Sequence, residues 1–150
     1  MTGGIMDFQT PNSSFSSAKF SLGTHDDAFL AKYDAQSDLL WVKHFGSNGY
    51  GNNDQINAIA LDRKTDHIYV AGAFQGYLTA GNQTHAAKQG HFLLRSNGQG
   101  DVVWSKHIPS SSGMIHGLAL DPSNHLWLWG TLSGTWQFDQ IKIVHNNKQK

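Results

Sequence analysis

The stretch AFLAKYDAQSDLLWVKHFG, residues 28–46, decides the fold, because HFLLRSNGQGDVVWSKHIP, residues 91–109, repeats it without a gap. Phe29 matches Phe92, Leu30 matches Leu93, Gln36 matches Gln99 and Asp38 matches Asp101. Trp41 matches Trp104, Lys43 matches Lys106 and His44 matches His107, every pair 63 positions apart. A period above roughly 40 residues, built from short strands, marks a propeller or solenoid rather than one undivided core.

The repeat continues outward with shrinking offsets. INAIALD at 56–62 matches IHGLALD at 115–121, and HIYVAGAFQG at 67–76 matches HLWLWGTLSG at 125–134. The residues lost between copies fall where loops are expected to vary. Polar turn formers separate the strands: Asp34 to Ser37, Asp62 to Asp66, Ser96 to Gly100, and Asp121-Pro122-Ser123-Asn124. Ile68 and Val70 alternate with Tyr69 and Ala71, and Leu126 and Leu128 alternate with Trp127 and Trp129. Both faces of these strands are apolar, so both must be covered. A one-sided sandwich leaves one face polar, whereas a blade stacked between two neighbours does not.

Composition agrees with an all-β chain. All 11 acidic residues are Asp, with 16 Gly, which removes a strong helix former and supplies turn formers. The 11 basic residues balance the acids without a basic stripe, which disfavours nucleic-acid binding. The absence of Cys excludes disulfides and thiolate chemistry but leaves the compartment open. The first residues show no signal-peptide pattern, and no stretch approaches the roughly 18 consecutive apolar residues of a membrane span.

Residues 1–24 read as an irregular N-terminal segment with one strand at 15–21. Residues 25–138 form the repeat region, with copies at 28–77 and 91–135, and 139–150 read as a polar C-terminal tail. The combination Asp27-Ala28-Phe29-Leu30-Ala31-Lys32, Leu40-Trp41, Gly46, Asp54, Ala58-Ile59-Ala60-Leu61-Asp62 and Ile68-Tyr69-Val70-Ala71-Gly72 resembles the bacterial SBBP-type β-propeller repeat. The second copy departs from it, with Gly90-His91 in place of an acidic residue and Ala, Pro109 in place of Gly46, and no equivalent of Asp54. The resemblance implies blades of four-stranded antiparallel sheet and a secreted or cell-surface bacterial protein, and it implies no single activity. With 56–62 innermost, one whole blade is 56–62, 67–73, 91–95 and 101–107. Strands 29–33 and 39–45 are then the outer half of a preceding blade, and 115–121 and 125–131 the inner half of a following one. Propellers have about four to eight blades, so this chain is too short to close a ring alone.

Candidate chemistry is thin. His44 and His107 are repeat equivalents, as are His67 and His125, and repetition favours polar capping at strand ends over metal ligation. No HxH or HxxxH pair supplies the convergence a metal needs. The loop Asn48 to Asp54 carries one carboxylate and lacks the EF-hand spacing, so it reads as a surface loop rather than a calcium site. There is no GxSxG elbow and no phosphate-cradling glycine loop, and no cofactor is implied. Serines 110–112 read as loop. Trp41 and Trp104 recur at one repeat position and read as packing. Trp136 has no aromatic counterpart and lies past the last clear strand, which makes it the expected exposed aromatic and the candidate ligand-binding residue.

The sequence therefore predicts a non-catalytic propeller-repeat module that presents a binding or scaffold surface to protein or carbohydrate. The competing reading is a hydrolase or lyase whose His and Asp residues meet at loop ends. Two incomplete halves at opposite ends predict either head-to-tail self-association or a fragment of a longer propeller with raw β edges.

Overall fold

The computed structural model describes residues 5–6, 20–21, 27–46 and 54–145, and every regular element in them is a β-strand. The strands are β1 (Ile5–Met6), β2 (Phe20–Ser21), β3 (Ala28–Tyr33), β4 (Leu39–Phe45) and β5 (Gln55–Asp62). They continue with β6 (His67–Ala80), β7 (Gln83–Ser96), β8 (Val102–Leu120), β9 (Leu126–Phe138) and β10 (Ile141–His145). All pairings are antiparallel. β1 pairs with β2, β3 with β4, and the remaining strands form one open sheet in the order β10-β9-β8-β7-β6-β5. Most of the N-terminal segment and residues 48–53 of the expected surface loop lie outside the described residues. Among those described, no helix is long and apolar enough to cross a membrane.

The long strand β8 gives this sheet its shape. Its first part, Val102 to Pro109, pairs with β7, and its second part, Ser110 to Leu120, pairs with β9. The second part also turns the sheet back over itself. Ala58, Ala60 and Ala71 from β5 and β6 share one buried cluster with Ile115, Leu118 and Trp136 from β8 and β9. The opposite face of β6 and β7 is covered by the β3–β4 hairpin. There Ala28 and Phe45 pack with Ile68, Val70, Phe74, Phe92 and Leu94. A four-stranded meander, β5 to the first part of β8, is thus buried on both sides. Phe74, Phe92, Val70 and Leu94 are fully sealed, and at about 1.5–3 kcal/mol for each large side chain removed from water these two interfaces dominate the stabilisation.

A lysine from the same repeat position ties down each interface, through a different partner. On one side Lys43 Nζ lies 2.9 Å from Asp101 Oδ1, while Lys32 Nζ and the Trp41 indole N–H both donate to the Gly98 carbonyl. On the other side Lys106, the repeat equivalent of Lys43, reaches both oxygens of Asp139 at 2.9 Å. These ion pairs are exposed and contribute at most about 1 kcal/mol each, so they set register more than they stabilise.

Three hairpin turns share one construction. The first residue is Asp or Asn, and its side-chain oxygen accepts the N–H groups two and four residues on. Asp34 does this for Gln36 and Asp38, Asn97 for Gln99 and Asp101, and Asp121 for Ser123 and His125, all at 2.9–3.0 Å. The residue at the fourth position is left-handed in each: Ser37 (φ 70°), Gly100 (φ 79°) and Asn124 (φ 63°). This is a type I turn closed by a bulge, a standard hairpin connection.

Three expectations are corrected. Serines 110–112 are not loop: they lie inside β8, where Ser110 opposes Trp136 and Ser112 opposes Ser133. Ser111 Oγ accepts the Thr135 N–H at 2.6 Å, so a polar run serves as strand because β9 takes up its hydrogen bonds. The expected polar tail contains β10, whose Ile141 pairs with Phe138 and His145 with Gly134. The matching pair in the first copy is Gln83 with Ala80, and the intervening turns both open in the left-handed region, at Gly81 (φ 60°) and Asp139 (φ 47°). The repeat therefore extends to residue 145. Finally, the apolar outer face of β9 is not covered among the described residues, for Trp127 is 62% exposed and Trp129 52%.

Candidate functional site

Trp136 is not an exposed platform. Because β9 continues past Gly134 to Phe138, Trp136 falls on the inward side of the strand and is 2% exposed. Its ring stacks on His91 at 4.5 Å and on Phe138 at 5.8 Å, and its indole N–H donates to the Ser112 carbonyl at 2.6 Å. Every face that could hold a sugar is occupied by the protein. The tryptophans that do face solvent are Trp127 and Trp129.

The repeated histidines separate into two kinds. His67 and His125 secure turns: His67 Nδ1 lies 2.7 Å from Thr65 Oγ1, which donates to Asp62 Oδ2, and His125 Nδ1 lies 2.9 Å from Asp121 Oδ2. Hydrogen bonds from the His125 backbone and side chain, from Trp127 and from Ser123 hold the Asp121 carboxyl down at about 2 against partial burial. His44 and His107 sit deeper. His44 Nε2 lies 3.1 Å from Asp27 Oδ2, with both side chains largely buried. At the equivalent of Asp27 the second copy has Gly90, and a Cβ built there would stand 2.5 Å from His107 Nε2. His107 Nε2 consequently has no hydrogen-bond partner among the described residues. Burial, and then the neighbouring His85, lower its pKa below 6.5.

Beside His107 the strands gather a polar group of His85, Ser105 and Gln83. His85 lies 6.4 Å away ring to ring, and Phe74 presents its edge at 5.2 Å. His85 Nε2 contacts Ser105 Oγ at 2.7 Å, but the Ser105 hydroxyl donates to Gln83 Oε1 at 2.9 Å. Gln83 Oε1 can only accept, so the single Ser105 proton is committed and His85 must be the donor. That arrangement cannot activate Ser105 as a nucleophile. His91 Nδ1 contacts Ser110 Oγ at 2.6 Å and is buried under Trp136. Burial lowers the His91 pKa, a hydrogen bond with the Gly113 backbone opposes this, and His107 adds to the lowering. A neutral His91 can accept the Ser110 proton, which is the first requirement of a serine nucleophile, but its enclosure makes it equally a buried polar pair that fixes the strand. Among the described residues no group of three or more His and Asp side chains is placed to hold a metal ion.

The cleft nearest these groups lies between β4 and the two turns β6–β7 and β7–β8. Its volume is about 300 Å³, and Lys43, His44, Asn82 and Asp101 supply its polar lining with Phe45 and Val102 its apolar floor. A small polar ligand such as a sugar ring or a peptide amide meets donors, acceptors and one apolar wall there.

Comparison with protein families and with curated proteins finds no match to this chain. Sequence reasoning missed the His91–Ser110 meeting because β8 continues as strand through Ser110, and the Gln83–Ser105 meeting because β6 and β7 extend to Ala80 and Gln83. The signal that pointed to this region was the mismatch between Asp27 and Gly90 at otherwise matching positions.

Proposed function

We propose that the chain is a non-catalytic propeller-type repeat module, related to the SBBP-type repeats, that works as a binding or scaffold surface for protein or glycan. The observation that carries this reading is one four-stranded meander covered on both faces, by the β3–β4 hairpin on one side and by the β8–β9 sheet on the other. The repeat-equivalent lysines Lys43 and Lys106 are each ion-paired to an Asp of the neighbouring unit. A module of this kind repeats one unit and one junction, and its ligand surface lies at the junctions between units. The cleft lined by Lys43, His44, Asn82 and Asp101 is such a junction.

A thermal-shift panel of oligosaccharides, peptides and divalent cations tests it. Stabilisation by an oligosaccharide or peptide that is recovered unchanged, and that Asn82→Ala abolishes, supports a binding module. The competing hydrolase or lyase reading draws on the Ser110–His91 contact and the Asp27–His44 pair. It predicts turnover of an ester or glycoside that stops in Ser110→Ala, or a cation-dependent stabilisation lost in His44→Ala or His107→Ala.

A further inference from the structure

We propose that β3 of one copy of this chain adds to the free edge of β9 of a second copy, so that copies assemble head to tail. The inference rests on the propeller-type reading above.

In the central sheet β7 is a single strand from Gln83 to Ser96 beside β6, with one bulge between Phe74 and Gly76. The counterpart of β7 in the next repeat is present in two pieces at opposite ends of the chain. Its first piece is β10, which lies on Gly134–Phe138 as Gln83–Ala87 lies on Gly76–Ala80. Its second piece is β3, since Ala28–Tyr33 matches His91–Ser96 residue for residue. In the single chain these pieces do not meet. Among the described residues β3 pairs only with β4, and Leu126–Thr131 of β9 pairs only with β8. Each is a strand edge with unused backbone donors and acceptors, the feature that natural sheets cover or pair.

Side chains on both edges are open where their counterparts are sealed. Phe29 is 64% exposed and Tyr33 58%, whereas Phe92 and Ser96, at the same repeat positions, are fully buried. Trp129 is half exposed, whereas its counterpart Ala71 is sealed. The central sheet also dictates the register. Ile68 opposes Ser96, Val70 opposes Leu94 and Gly72 opposes Phe92. Carried to the intermolecular pair, Leu126 opposes the second copy's Tyr33, Leu128 its Ala31 and Gly130 its Phe29. A Cβ on Gly72 would strike the Phe92 ring, and Gly130 leaves the same space for Phe29. The occupant is a second copy because the acceptor edge and the strand that fits it both belong to this chain. Each chain then contributes the equivalent of two blades, and three or four chains close a ring of about six or eight, within the range propellers adopt.

The test combines light scattering on the unmodified chain with thiol pairing, for which the absence of native Cys leaves a clean background. The expected result is a discrete mass of three or four chains. Ala31→Cys with Leu128→Cys is expected to give interchain disulfides under mild oxidation, and Lys32→Cys with Leu128→Cys, one residue out of register, to give at least tenfold less. An intrachain pair, Tyr69→Cys with Arg95→Cys, reports the central sheet by itself. A one-chain mass with no interchain link but with the Tyr69–Arg95 bridge overturns the assembly while the module reading stands, and it points to another polypeptide as the occupant of the β9 edge. A one-chain mass without that bridge overturns both. Equal linking from both interchain pairs overturns the proposed register.

Discussion

Asp27 Oδ2 lies 3.1 Å from His44 Nε2, and in the second repeat the residue in the place of Asp27 is Gly90, beside His107. One repeat therefore ties its histidine to a carboxylate, while the other buries the ring against Phe74 and His85. Removing the carboxylate leaves a largely buried imidazole without a charged acceptor, which costs about 1–3 kcal/mol. Asp27→Ala is expected to lower the urea midpoint accordingly. Gly90→Asp is expected to destabilise rather than to restore the pair, because its Cβ already crowds the His107 ring and Phe74. Equilibrium denaturation of both variants checks this.

Two imidazoles of the second repeat give the fold a response to mild acid. Burial holds the His91 and His107 imidazoles below the ordinary 6.5. The unfolded chain takes up these protons first, so their contribution is complete above about pH 6.5 and is lost as pH falls through the lowered folded-state values. Asp62, Asp101 and Asp121 are held below 3.8 by hydrogen bonds from Thr65, Lys43 and the His125 backbone respectively, so a second loss begins under pH 3.8. Denaturant midpoints across pH 2–8 should fall in these two steps. His91→Gln, which cannot gain the charge, should shrink the first step to the share of His107 and leave the second.

Gly72 and Gly130 hold the same post in the two repeats. Each opposes a bulge, between Ile56 and Ala58 or between Ile115 and Gly117. A Cβ at Gly72 would run into the Gln55 carbonyl and the Phe92 ring, and one at Gly130 into the Met114 carbonyl. Backbone cannot yield as a flexible side chain does, so each Gly→Ala exchange costs about 1–3 kcal/mol or more. Gly72→Ala should cost the larger amount, since it alone also displaces a buried aromatic. Thermal unfolding of the two variants compares them directly.

Matched glycines, the turn-forming Asp and Asn residues and two-sided apolar alternation made the strands and their meander legible before any coordinate. Side-chain periodicity reports which way a residue points, and it did so for Ile68, Val70 and Tyr69. It does not report where a strand ends when the chain turns polar. Ser110 to Ser112 look like loop because hydroxyls carry no periodic signal, yet β9 takes up their hydrogen bonds. The meeting of His91 with Ser110 depends on that continuity, and that of His85 with Ser105 on the extension of β7 back to Gln83, which the sequence did not mark as strand. Trp127 and Trp129 show the opposite limit. The sequence states that both faces of β9 want cover, but not that Trp127 and Trp129 stay exposed among the described residues.

Trp136 gives the sharpest separation between a ligand platform and a core residue. Its ring is enclosed by His91 and Phe138, and its N–H is committed to the Ser112 carbonyl. Truncation to Ala removes a large buried aromatic and costs about 3–5 kcal/mol. Trp136→Phe keeps the stacking but strands the carbonyl, at about 1–3 kcal/mol. An exposed aromatic such as Tyr77, 60% accessible, should change stability by no more than about 0.5 kcal/mol on truncation. Unfolding followed by far-ultraviolet circular dichroism ranks the three variants. A Trp136→Ala protein as stable as Tyr77→Ala would mean that the ring is not part of the core, and it would return Trp136 to the list of surface candidates.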